Sequence, residues 1–81
     1  MRIALDYDKT YTADPVLWDG FARDALARGH DVFVVTMRMP SEPVENVSLP
    51  VIYTSRKAKS SVVKADIWID DAPHWIYQDS M

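Results

Sequence analysis

Cysteine is absent from the sequence, which excludes disulfide bonds and suits a reducing, cytoplasmic compartment. No apolar run approaches the roughly 20 residues that a membrane-spanning helix needs, so no membrane partner is expected. Arg2 is followed by no long apolar region and no small-residue cleavage site, so no signal peptide is expected either. Internal repeats and low-complexity tracts are missing. An excess of positive charge is missing too. The formal net charge is −3, which argues against a general nucleic-acid binder. The 81 residues leave no space for a second domain. A chain this short buries a modest share of its surface, roughly 60%.

What is present favours a folded globule. Hydrophobic residues make up 48% of the chain, with three tryptophans, four tyrosines and two phenylalanines. That composition is far from a disordered one. The basic residues are unevenly spread: Arg56, Lys57, Lys59 and Lys64 fall close together. They form either a solvated helix face or a local anion site.

Four short apolar runs read as strands, at residues 2–7, 31–36, 50–54 and 66–70. Each stays apolar on consecutive positions, as strands buried on both faces do. Between the first two runs lies a helix pattern. Asp14 is its candidate N-cap and Pro15 its first residue. Trp18, Phe21, Ala22, Ala25 and Leu26 form its apolar stripe, and Gly29 follows its last turn. Residues 37–49 contain two prolines and read as a loop with one short helical turn at most. Residues 55–64 read as a second helix, capped by Thr54 or Ser55. The tail after Asp71 offers Trp75, Ile76 and Tyr77 for packing.

Alternating strands and helices imply an α/β domain with a mainly parallel sheet. Right-handed crossovers give the strand order 3-2-1-4. The first helix then covers one face and the second the other. Strands 1 and 4 flank the point where the winding reverses, and ligands of open α/β sheets bind at the carboxyl ends there.

The strand ends carry the chemistry. Strand 1 runs into Asp6 and Asp8, with Thr10 two residues on. Strand 2 closes on Thr36, followed by Arg38. Strand 4 closes on Asp70 and Asp71, and Lys57 and Lys59 precede it. Taken singly, each is an ordinary turn, cap or solvated residue. Together they place four carboxylates, a hydroxyl and an ammonium on one edge. Clustered carboxylates raise one another's pKa unless a cation neutralises them, and hard oxygen ligands suit Mg²⁺.

In this order the motifs "DYDKT", "VFVVT", "RKAK" and "IWIDD" resemble those of the haloacid dehalogenase (HAD) superfamily of phosphatases and phosphotransferases. The resemblance spans about the whole chain. It implies a three-layer, Rossmann-like α/β fold, with residues 1–81 as a single core domain without a cap. It implies an Mg²⁺-dependent phosphatase acting on a phosphomonoester. Asp6 would be the nucleophile that forms an aspartyl phosphate, and Asp8 the general acid and base. Asp6, the backbone carbonyl of Asp8, and Asp70 would hold Mg²⁺. Asp71 would orient a metal-bound water or Lys59. Thr36 would donate to the phosphoryl oxygens, and Lys59 would neutralise charge, with Lys57 as the alternative lysine. Lys9, Thr10, Arg38 and Lys57 are candidate substrate-binding residues.

Two departures stand out. The family commonly has glycine after the second aspartate, where this chain has Lys9. Neither usual insertion point can house a cap. An open site suits a large substrate such as a nucleic-acid end or a phosphoprotein, although nucleotides and sugar phosphates also fit the chemistry. A second subunit could supply the lid. One sheet face has little helix to cover it, so a homo-oligomer is expected. Two other functions compete. One is a catalytically weak or inactive binding module for a protein or nucleic-acid partner. The other is a receiver-like phospho-acceptor domain, whose phosphorylated aspartate belongs at the end of strand 3, where this chain has "VIYTS".

Overall fold

A computed structural model describes residues 1–80. The elements in chain order are β1 (Arg2–Asp6), α1 (Pro15–Ala27), β2 (Asp31–Thr36), β3 (Val51–Tyr53), α2 (Lys59–Val62) and β4 (Ile67–Ile69). Single 3₁₀ turns lie at Tyr11–Ala13 and Pro73–Ile76. The four strands form one parallel sheet in the order β3-β2-β1-β4, the order expected from the connections. Among the described residues no helix is long and apolar enough to cross a membrane.

The sheet sorts its side chains by alternation. Ile3, Leu5, Val32 and Val34 face α1 and pack with Ala22, Ala25, Trp18 and Phe21. The 37–49 crossover closes the same face with Val44, Val47 and Leu49. It makes a tight turn, with the Glu42 N–H donating to the Met39 carbonyl, and no helical turn. Ala4, Phe33 and Val35 face the other way, against Ile52, Val63, Ala65 and Trp68. This second cover is thin, because α2 has only four residues.

Helix α1 begins and ends as its sequence predicts. Asp14 accepts a hydrogen bond from the Leu17 N–H at 3.1 Å, and Pro15 occupies the first turn. At the far end the His30 N–H reaches the Ala25 carbonyl and the Gly29 N–H reaches Leu26. Gly29 has φ 87°, the left-handed conformation this two-bond helix end requires. Leu26, expected on the buried stripe, is instead 48% exposed.

The second helix differs most from its expected span of 55–64. Ser55 and Arg56 both have positive φ, 53° and 71°, which no helix can hold. Their N–H groups donate to the Arg38 and Met37 carbonyls instead. The helix starts only at Lys59. Its N-cap is Ala58, and neither Thr54 nor Ser55 caps it. The Thr54 hydroxyl donates to the Lys57 carbonyl at 2.8 Å.

Candidate active site

Register alone brings the acidic strand ends together. Leu5 pairs with Ile69 across β1 and β4, so the next residues, Asp6 and Asp70, emerge side by side where the winding reverses. Between them sits Lys59, whose Nζ donates to Asp6 Oδ1 at 2.6 Å and to Asp70 Oδ2 at 2.5 Å. This is a buried arrangement: the side chains of Lys59, Asp6 and Asp70 are 4%, 10% and 3% exposed. A lysine in the first turn of a helix is ordinarily solvated. Here the turn at Ser55–Lys57 lowers it onto the strand ends. Lys57, the alternative, is exposed and makes no such contact.

The other oxygens of Asp6 and Asp70 also have partners. Asp70 Oδ1 accepts the Ala72 N–H at 2.9 Å. The Thr10 hydroxyl lies 3.1 Å from Asp6 Oδ2 and 3.0 Å from Asp71 Oδ1, and its oxygen accepts the Asp71 N–H at 3.1 Å. Thr10 is thus a buried brace between the two acidic motifs. Asp71 contacts this brace and not Lys59.

Burial is what most raises the Asp6 pKa, to about 7, against the opposing pull of Lys59. The Asp6 carboxyl in turn holds Asp71 below the usual carboxylate range by hydrogen bonding to it, with help from Thr10. One oxygen each from Asp6, Asp70 and Asp71 lie within 4.8 Å of one another. This hard, all-oxygen set has the donor chemistry to hold a metal ion.

Asp8 lies apart from that set. The chain leaves β1 after Asp6, and the Asp8 carboxylate turns toward Arg38. Arg38 Nε donates to Asp8 Oδ2 at 3.1 Å and Nη2 to Oδ1 at 2.8 Å. The same guanidinium stacks 5.0 Å over the Tyr7 ring and reaches the Glu42 and Pro43 carbonyls. Its pKa is raised, chiefly by the hydrogen bonds to Asp8. Thr36 is buried at the end of β2. Its oxygen accepts the Arg38 N–H at 3.2 Å, which leaves its hydroxyl hydrogen available to a ligand. Lys9 has φ 67°, so it adopts the conformation that glycine takes without strain.

These residues line one cavity of about 300 Å³. It holds the candidates Asp6, Asp8, Lys9, Thr36, Arg38, Lys59, Asp70 and Asp71, and it excludes Thr10 and Lys57. It also takes in Arg56, Trp75 and Ser80. Arg56 belongs to the basic cluster seen in the sequence. Trp75 lies on a 3₁₀ turn too short to show a period, and Ser80 is placed by its N–H bond to the Arg56 carbonyl, so neither carries a local signal. Protein-family models, curated proteins and solved structures were each compared with the chain, and none matched.

Proposed function

We propose that the protein is an Mg²⁺-dependent phosphomonoesterase of the capless type, similar to the haloacid dehalogenase superfamily in its three-layer core and motif order. The observation that carries this reading is the buried contact of Asp6 and Asp70 with Lys59 at the sheet's switch point. The lining supports it: Asp6, Asp8, Asp70 and Asp71 offer carboxylates to a cation, and Lys9, Arg38 and Lys59 offer positive charge to a phosphate.

Asp6, Asp70 and Asp71 supply the carboxylates that would hold Mg²⁺, with the Asp8 backbone carbonyl as a further donor. The ion supplies neutralisation of charge on the nucleophile and the phosphoryl oxygens. Asp6 attacks phosphorus as the ester oxygen departs, giving an aspartyl phosphate. Lys59 orients the Asp6 carboxylate and favours its ionised form against the effect of burial, and Thr36 donates to a phosphoryl oxygen. Asp8, protonated from solvent once Arg38 leaves it, gives that proton to the leaving oxygen. Water then attacks phosphorus, the bond from phosphorus to the Asp6 oxygen breaks to release phosphate, and Asp8 takes the water's proton. Both oxygens of Asp8 are engaged by Arg38 in the free protein. Transfer of Arg38 to the substrate phosphate is the step that frees them.

The test is hydrolysis of p-nitrophenyl phosphate with and without Mg²⁺. Turnover is expected only with the ion, and Asp6→Asn lowers kcat by at least about 10³-fold. Metal-independent turnover, or an active Asp6→Asn protein, would falsify this mechanism.

A second reading is a binding module that has lost catalysis. It is favoured by the Lys59 ammonium, which takes one oxygen of Asp6 and one of Asp70. Lack of any Mg²⁺-induced rise in melting temperature, together with lack of turnover, would select it.

A further inference from the structure

Two of the three tryptophans have a packing role. Trp18 packs with Leu5 and Val34 on the α1 face, and Trp68 packs with Ala4 and Phe33 on the other. Trp75 belongs to none of these clusters. Ile76, 3% exposed, anchors the 3₁₀ turn in its place. Trp75 is half-buried and lines the cavity that holds Asp6, Lys59 and Asp70.

The wall it forms is fixed on both sides. The His74 ring lies against the indole with centroids 4.3 Å apart. Beyond the turn, Asp79 Oδ1 accepts the Ala58 N–H at 2.7 Å, and the Ser80 N–H donates to the Arg56 carbonyl at 2.8 Å. The tail is thus strapped to the segment that presents Lys59, and the aromatic face is held in place before any ligand arrives. Binding surfaces gain affinity when they need no ordering.

We infer that Trp75 is a specificity-determining residue and that the substrate is a nucleotide: its base stacks on the indole while its phosphate lies at Asp6. Every nucleobase presents a π face, so stacking of this kind is tolerant of base identity. Polar lining groups favour a nucleotide over a bare phenyl ester. Ser80 and Lys9 offer hydrogen bonds that a ribose and a base edge can use. The inference rests on the phosphatase reading for the position of the phosphate.

The experiment is calorimetric binding to the Asp6→Asn protein in Mg²⁺, with adenosine 5′-monophosphate, ribose 5-phosphate and phenyl phosphate as ligands. The nucleotide is expected to bind about tenfold or more tighter than either of the others. Trp75→Leu brings the nucleotide and the sugar phosphate to equal affinity, whereas Trp75→Phe keeps part of the preference. Because Trp75 lies outside the core clusters, both variants fold, which circular dichroism verifies. Equal affinities in the parent protein, a preference that survives Trp75→Leu, phenyl phosphate binding as tightly as the nucleotide, or no binding of any ligand overturns the inference. A preserved preference with no turnover of any phosphomonoester by the wild-type protein overturns the phosphatase reading and leaves the base contact standing.

Discussion

The two edges of the sheet are built from similar residues and behave differently. At the amino edge of the strands, the Met1 amine meets His30 Nδ1 at 2.7 Å, the Arg2 N–H donates to Asp66 Oδ2 at 2.7 Å, and Arg2 Nε donates to the Lys64 carbonyl. All of these lie in exposed positions. At the carboxyl edge, Lys59, Asp6 and Asp70 are buried together, and positive φ occurs at Lys9, Ser55 and Arg56. An exposed pair keeps its water, so forming it changes little. A buried one gives up hydration and depends on each partner for the other's compensation. Buried charge thus coincides at one edge with three of the four non-glycine residues of positive φ, the fourth being Asn46 in the crossover.

The largest effect should come from breaking the buried cluster. Lys59→Met leaves Asp6 and Asp70 side by side without their shared cation. Removing one partner of a buried ion pair typically destabilises by about 3–5 kcal/mol. That is a large part of the stability of any small domain. Urea denaturation at neutral pH without metal reads it directly. A loss below about 1 kcal/mol would show that the carboxyl edge is no more demanding than the amino edge.

Protonation provides a milder probe of the same cluster. The Asp6 pKa is raised from 3.8 to about 7. A raised carboxyl favours folding when protonated, so its contribution is fully present below about pH 4 and is lost as pH rises through 7. The metal-free protein should therefore lose stability from this group between about pH 4 and pH 8. Asp71, whose pKa is lowered, acts oppositely, and its contribution is lost as pH falls below its folded pKa. Mg²⁺ bound at the cluster favours the ionised form of Asp6. Its effect on the melting temperature should therefore be larger at pH 8 than at pH 5, as thermal melts at both values can show. An equal shift at the two values would separate the ion from Asp6.

These features were not equally legible in the sequence. The strand order and the meeting of Asp6 with Asp70 follow from strand pattern and crossover handedness, which act through the whole chain. The sequence favours Lys59 over Lys57 for its depth in the expected helix, but the burial of Lys59 turns on the positive φ of Ser55 and Arg56, which neither residue type signals. The Arg38–Asp8 pair was hidden for a similar reason. It joins residues 30 apart in sequence through the path of a loop that has no period. The tail misled in part: of the three residues expected to pack, Ile76 is buried, Trp75 faces the cavity and Tyr77 is 74% exposed.

Backbone strain at the carboxyl edge makes the third prediction, smaller than the first two. Lys9 holds φ 67° while its N–H donates to Thr12 Oγ1 at 2.9 Å. A residue with a Cβ in the left-handed region costs roughly 1 kcal/mol, and glycine removes that cost while adding freedom to the unfolded chain. Lys9→Gly should therefore raise stability by about 0.5 kcal/mol, seen as a higher urea midpoint at an unchanged m value. A decrease would mean that the lysine side chain contributes more to the edge than its strain takes away.

The amino edge provides the smallest expected effect and the control for the rest. Asp66→Ala removes the carboxylate that accepts the Arg2 N–H, but that N–H is exposed and water replaces the lost acceptor. The neighbouring backbone bond, from the Asp66 N–H to the Arg2 carbonyl at 2.8 Å, does not involve the side chain and stays. Arg2 also keeps its place over the Phe33 ring, 4.8 Å from its centroid. The change in stability should be within about 0.5 kcal/mol and should not respond to Mg²⁺. A loss above about 2 kcal/mol in urea denaturation would mean that the amino edge, too, depends on its charged contacts, and that burial is not what separates the two edges.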